Sequence, residues 1–234
     1  MVEHGVPRLL IRTDRYLSAA VGRSIPMIVQ AIAAAARQAA PPGTVGILFA
    51  EEDLQEGPRY RLLEQVVEAN NRGAPRGGVP LYLLSPAAAP EPAGIDGAVL
   101  LPGDPRMEHD LAQLRMWSGP SAARLAVLED GIAGCVVGPV QPPLWRGDEA
   151  PAGSLLAPEA VARVVAAWAP RPVLAFGGVG IANLASVLAS GVAGVVVHSA
   201  VLASPDPAAA VQQLVDGLLA DAGETDLAAR DGDL

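Results

Sequence analysis

The stretch Pro172-Val-Leu-Ala-Phe-Gly177-Gly178-Val179, followed by Gly194-Val-Val-Val-His198-Ser199-Ala200, repeats one local pattern. In each copy a short apolar run ends in small residues and passes directly into a helix-periodic segment. Such a step leaves backbone N–H groups unpaired where the helix begins, and those groups attract anions without help from a basic side chain. The chain has no lysine at all, its 16 basic residues all being arginine. Two neighbouring loops of this kind predict a site for a phosphorylated small molecule, built mainly from main-chain amides.

Working outward, strand-length apolar runs recur at 9–13, 45–50, 79–84, 97–101, 134–138, 172–176 and 194–198, with a weaker run at 114–118. Helix-periodic segments alternate with them at 26–38, 60–70, 121–129, 157–168, 181–189 and 207–219. Start signals are Ser24 before Pro26, Pro58, Pro120 and the Asp206-Pro207 pair. Gly131 and Gly191 stand just beyond helix ends. Apolar runs without strict alternation suit parallel strands covered on both faces. Eight such units in a chain of this length, with no composition break, predict a single α/β domain, a (β/α)8 TIM barrel over residues 1–222. A doubly wound open sheet would need a Gly-rich turn after its first strand, where the chain has Asp14-Arg15-Tyr16.

Composition narrows the function classes. The net charge of −9 argues against nucleic acid and against an anionic membrane surface. No apolar stretch reaches the roughly 18 residues of a membrane span, and Glu3, His4, Arg8 and Arg12 stand where a signal peptide would be apolar. The single cysteine, Cys135, has no disulfide partner and sits inside a predicted strand, which reads as a core thiol. A cytoplasmic protein is expected. The oligomeric state is open, a homodimer being one compatible arrangement.

Two regions depart from an ideal barrel. Pro86, Pro90 and Pro92 exclude a regular helix in the third βα unit. Pro139, Pro142, Pro143 and Pro151 predict a long, stiff loop at 139–155, either a wall of the ligand site or a surface insertion. Residues 223–234 carry four acids against Arg230 and read as an acidic, solvated tail without fixed structure.

Taken together, these residues resemble the thiamine phosphate synthase and thiazole tautomerase superfamily, as a divergent member. The motifs are Ala175-Phe-Gly-Gly-Val179, Asn183, Val187-Leu-Ala-Ser-Gly-Val-Ala-Gly194 and Ser199-Ala-Val-Leu-Ala-Ser-Pro-Asp-Pro207, with Arg12-Thr-Asp-Arg15, Glu51-Glu52-Asp53-Leu54 and Val137-Gly-Pro-Val140. The resemblance implies an eight-stranded barrel. In the synthase it implies joining a pyrimidine diphosphate to a thiazole phosphate with Mg2+, and no organic cofactor. It places Gly177, Gly178, His198 and Ser199 at the thiazole phosphate. A tight barrel corner is the alternative reading of Gly177-Gly178, and an ordinary half-buried histidine that of His198.

The other half of the synthase pattern is altered. Where the family shows Gln-Leu-Arg-Glu-Lys-Asp after strand two, this chain reads Leu48-Phe-Ala50-Glu51-Glu52-Asp53, so both cations of the diphosphate site are gone. Ser85 replaces one metal carboxylate, and Asp104 matches the other unless it serves the turn before Pro105. Ser118 matches a serine beyond strand five, and Arg146 stands in a loop where the family has lysine. These two are the candidate catalytic residues. The acids Glu51, Glu52, Asp53 and Glu56 read either as a site or as a helix start favourable to its dipole. Three functions are expected in this order: a phosphate-binding barrel with lost or altered catalysis, an active synthase, and an interaction scaffold without a ligand.

Overall fold

The computed structural model describes residues 5–74, 77–85, 94–107, 111–119, 129–142 and 155–231. Eight strands form: β1 (Leu9–Arg12), β2 (Val45–Phe49), β3 (Leu81–Leu84), β4 (Gly97–Leu100), β5 (Ala112–Ser118), β6 (Gly134–Gly138), β7 (Val173–Phe176) and β8 (Gly194–Val197). They pair in chain order, all parallel, and β8 returns to β1 to close the barrel. Every strand read from the sequence is present, with ends within two residues.

Side chains alternate across each strand. Leu10, Leu48, Tyr82, Val99, Leu114, Val136, Leu174 and Val196, one from each strand, form one buried cluster that fills the barrel. Their neighbours Leu9, Ile11, Ile47, Phe49, Cys135 and Val197 point outward into the layer shared with the helices. Tyr82 shapes the interior most. Its ring lies over Gly97, where a Cβ would run into the ring and stand 2.6 Å from the Ala112 carbonyl. The Cys135 thiol is fully buried and is pushed up to about 12 by burial and then by Glu129. That matches the core-thiol reading.

Helix α2 (Ile25–Ala39) buries Ile25, Ile28, Val29, Ile32 and Ala36, the spacing of a single inward stripe. Ser24 stands at its N-cap position and Pro26 in its first turn. Helix α3 (Glu56–Asn71) starts four residues earlier than its periodicity predicts and is anchored by Asn70. That side chain donates to the Val79 carbonyl at 2.8 Å and accepts from the Val79 N–H at 3.1 Å. Helix α4 (Pro158–Trp168) covers β6 and β7. The last helix, α7 (Pro207–Asp231), packs Val211, Leu214, Val215 and Leu218 inward and lies against α2. Its helical backbone continues past residue 222 into the acidic stretch.

Three short helices complete the ring: α1 (Arg15–Ala20), α5 (Leu184–Leu188) and α6 (Ser199–Leu202). The expected helix at 181–189 begins only at Leu184, because 181–183 form a turn held by the Asn183 side chain. The helix expected at 121–129 and the Pro-rich stretch after Ser85 lie almost wholly outside the described residues, as does the loop beyond Pro142. Among the described residues, no helix is long and apolar enough to cross a membrane.

Candidate functional site

At the carboxyl ends of the strands a cavity of about 350 Å³ opens. Its floor is apolar, made by Leu84, Leu101, Met116, Phe176, Val179 and Val196. Its polar wall is Arg12, Glu52, Ser118, Gln141, His198 and Ser199, with Gly177 and Gly178 between them. Strand alternation explains this selection. The residues two positions beyond Leu10, Leu174 and Val196 are Arg12, Phe176 and His198, and all three face the cavity.

Gly177 and Gly178 have φ of 87° and 62°, in the left-handed region that favours glycine. A Cβ on Gly177 would overlap Pro139, and one on Gly178 would stand 2.6 Å from the Gln141 carbonyl and closer still to that of Pro142. The loop after β6 thus rests directly on the loop after β7. Val140 N–H donates to Phe176 O at 2.9 Å and Gln141 N–H to Gly177 O at 3.2 Å. Asn183 fixes the far side, accepting from Gly180 N–H at 2.8 Å and donating to Gly178 O at 2.9 Å. The two glycines therefore meet the packing demands of a tight barrel corner, the alternative reading of this pair. Their position still suits an anion. Among the described residues, neither Gly178 N–H nor Ser199 N–H donates to a protein acceptor.

His198 lines the cavity half-buried, its Nε2 3.1 Å from Asp14 Oδ2. Asp14 in turn accepts the Leu17 N–H at 2.9 Å through Oδ1, capping α1. Ser118, at the end of β5, reaches the same cavity. The structure thus brings Ser118, Gly177, Gly178, His198 and Ser199 together. Arg146 lies outside the described residues.

Asp104 does not join them. Its carboxylate accepts the Leu101 N–H at 2.8 Å, and its own N–H donates to Leu101 O at 3.0 Å, closing the turn after β4. The Arg115 guanidinium donates to the carbonyls of Leu101 and Asp104, both at 3.0 Å, while gripping Glu129 at 2.8 and 3.1 Å. Asp104 thus closes a turn, and Ser85 stands where the synthase pattern has the partner carboxylate. Among the described residues no group of three or more His, Cys, Asp or Glu converges.

The acidic run after β2 separates into distinct roles, and only Glu56 lies in the first turn of α3. Glu51 is 1% exposed and accepts from Arg15 Nη1 at 3.1 Å through Oε2, while Oε1 has no partner among the described residues. Burial raises its pKa despite the hydrogen bonds of Thr13 and Arg15. Arg15 also pairs with exposed Asp53, which holds that carboxyl down to about 2. Asp53 is the main cause of the upward shift of Arg15. Glu52 faces the cavity, its Oε1 3.9 Å from Arg12 Nη2.

Arg12 and Gln141 are polar cavity residues that the sequence reading did not single out for binding, while Glu52 was a candidate only as part of the acidic run. The available signal was the two-residue alternation that carries Leu10 inward and Arg12 with it.

No family model matches the chain. A 73-residue stretch, 31% of the chain, is 45% identical to a bifunctional thiamine biosynthesis protein (ThiM/ThiE) of Symbiobacterium thermophilum, covering 15% of that protein. An 80-residue stretch, 34% of the chain, is 40% identical to the thiamine-phosphate synthase of Methanospirillum hungatei, covering 37% of it. Among solved structures, thiamine phosphate pyrophosphorylase from Pyrococcus furiosus superposes with a TM-score of 0.71. That match covers 93% of this chain and 98% of the other at 18% identity, a likeness of fold. Over these stretches the chain is similar to thiamine phosphate synthases. The matched segments span well under two thirds of either curated relative's length. The same barrel fold extends to orotidine 5'-phosphate decarboxylase from Pyrococcus horikoshii, with a TM-score of 0.58 and 14% identity.

Against the synthase pattern, the replaced positions now have locations. Ala50 belongs to the cluster inside the barrel, and Glu52 stands in the cavity wall. A carboxylate therefore faces the cavity where the synthase pattern has a lysine.

Proposed function

We propose that this barrel binds a phosphorylated, thiazole-like small molecule, with the phosphate held by Gly177, Gly178, His198 and Ser199. The reading rests on one observation: these four residues line a single cavity with an apolar floor, and the amides of Gly178 and Ser199 are unspent. Loops after the seventh and eighth strands are the recurrent phosphate site of this fold. Glycine backbone and a serine hydroxyl suit a phosphate oxygen.

The same reading assigns the barrel lost or altered catalysis. A diphosphate leaving group needs cations or a metal to disperse its charge. Ala50, Glu52, Ser85 and the turn-bound Asp104 supply none. Calorimetry with a thiazole phosphate tests the binding, and incubation with pyrimidine diphosphate, thiazole phosphate and Mg2+ tests the chemistry. Binding without product supports this proposal. Absence of binding removes it.

A second reading, an active thiamine phosphate synthase, draws on the 40–45% identity of the matched stretches to proteins of thiamine biosynthesis. Steady product formation in the same incubation would establish it in place of the first.

A further inference from the structure

At this end of the barrel most arginines are spent on the protein. Arg15 is bonded to Glu51 and Asp53, Arg59 donates to the Leu84 carbonyl at 2.8 Å, and Arg115 is shared among Leu101, Asp104 and Glu129. Arg12 differs. It lines the cavity, donates no hydrogen bond to any described residue, and its Nε is buried without a partner. Among the described residues its ion-pair partner is Glu52 at 3.9 Å, beyond hydrogen-bond distance. The planar guanidinium fork suits a phosphate, and the buried Nε is costly to leave without an acceptor.

Its place in the barrel says which anion it would meet. β1 pairs with β8 with Ile11 opposite Val197, so Arg12 emerges beside His198 and one residue from Ser199. On its other side β1 pairs with β2, which leads to Glu52. Arg12 therefore stands between the amide cup and the carboxylate.

We propose that Arg12 is the side-chain clamp of this cavity, gripping a single phosphate monoester whose remaining oxygens meet the amides of Gly178 and Ser199, and that Glu52 restrains it. The proposal rests on the phosphate-cup reading above. Before binding, Glu52 holds the guanidinium loosely at the rim. A phosphate dianion is the stronger, bidentate partner and draws Arg12 away from it. In the described wall the arginine is offset by one carboxylate, so once Arg12 grips one phosphate no positive charge is left to draw a second.

Calorimetry on the full chain, with thiazole phosphate, its dephosphorylated alcohol and pyrophosphate as probes, tests this in wild type, Arg12→Gln, Arg12→Lys and Glu52→Gln. Arg12→Gln is expected to weaken thiazole phosphate about tenfold to 100-fold while leaving the alcohol unchanged. Arg12→Lys should recover part of the loss, because it keeps the charge without the fork. Glu52→Gln should tighten thiazole phosphate and tighten pyrophosphate more. Far-ultraviolet circular dichroism checks that the variants fold; Arg12 is part-exposed and makes no internal hydrogen bond. Wild-type affinity in Arg12→Gln would overturn the clamp and leave the cup intact. Failure of wild type to bind thiazole phosphate would overturn both.

Discussion

His198 Nε2 lies 3.1 Å from Asp14 Oδ2, while Oδ1 of the same carboxylate accepts the N–H of Leu17 at 2.9 Å. One side chain thus caps the first helix and fixes the imidazole at the mouth of the last strand. Because β8 and β1 are the pair that closes the barrel, this link crosses the seam where the chain's two ends meet.

Replacing Asp14 with Ala removes both bonds. A lost N-cap alone costs about 1–2 kcal/mol. Asp14→Asn keeps the cap and should lose only a few tenths. Urea denaturation of the two variants checks this, and equal stability of Asp14→Ala and wild type would show that the seam is held by something else.

Glu51 carries a pH dependence whose sign can be worked out. Burial sets its folded pKa above its ordinary value of 4.5. Below that value the group is protonated in both states and its contribution is intact. As the pH rises, the unfolded chain ionises first, so stability is lost until the folded carboxyl ionises too. Glu51→Gln removes this titration and should gain on wild type between mildly acid and neutral pH. Denaturation midpoints of the pair across that range measure it, and a pH-independent difference would refute the burial argument.

Tyr82 fills the barrel but spends its hydroxyl on nothing. Its oxygen is buried with no partner among the described residues, and burial pushes its pKa up to about 12. Deleting an unsatisfied hydroxyl while keeping the ring should stabilise the fold by about 1 kcal/mol. Tyr82→Phe is the variant and equilibrium unfolding the measurement. A loss of stability would reveal a partner for the hydroxyl, such as bound water.

Gly178→Ala adds a methyl where the Gln141 and Pro142 carbonyls already lie, at a positive φ. Both strain and overlap oppose it, and a cost of about 2–4 kcal/mol is expected. Thiazole phosphate affinity should fall with it, since the loops must separate. Thermal denaturation and calorimetry on one preparation test both effects.

Most of the scaffold was legible because parallel strands buried on two faces leave an unmistakable apolar run, as in Val45–Phe49 and Gly194–Val197. Helices α1 and α6 were not, since six and four residues are too few to show a period. Gly177, Gly178, His198 and Ser199 were picked out from their loop positions, and the structure groups them around one cavity. Arg12 escaped because its strand reads as an apolar run, whereas its own orientation depends on counting two from Leu10. Asp104 was ambiguous because a turn aspartate and a metal ligand look alike in sequence; its bond to Leu101 N–H separates them. Glu51 and Glu52 are adjacent identical letters with opposite fates, one buried against Arg15 and one facing the cavity. Only the bend of the chain after β2 distinguishes them.

The direct seating of Pro139–Pro142 on Gly177 and Gly178 has a practical consequence for anyone wishing to alter what this barrel accepts. With no side chain between them to act as a cushion, a shift of either segment presses on the other. Re-engineering the sixth loop would therefore also shift the proposed anion cup at Gly177 and Gly178. Independent adjustment is better sought from the opposite rim, at Leu84 and Leu101.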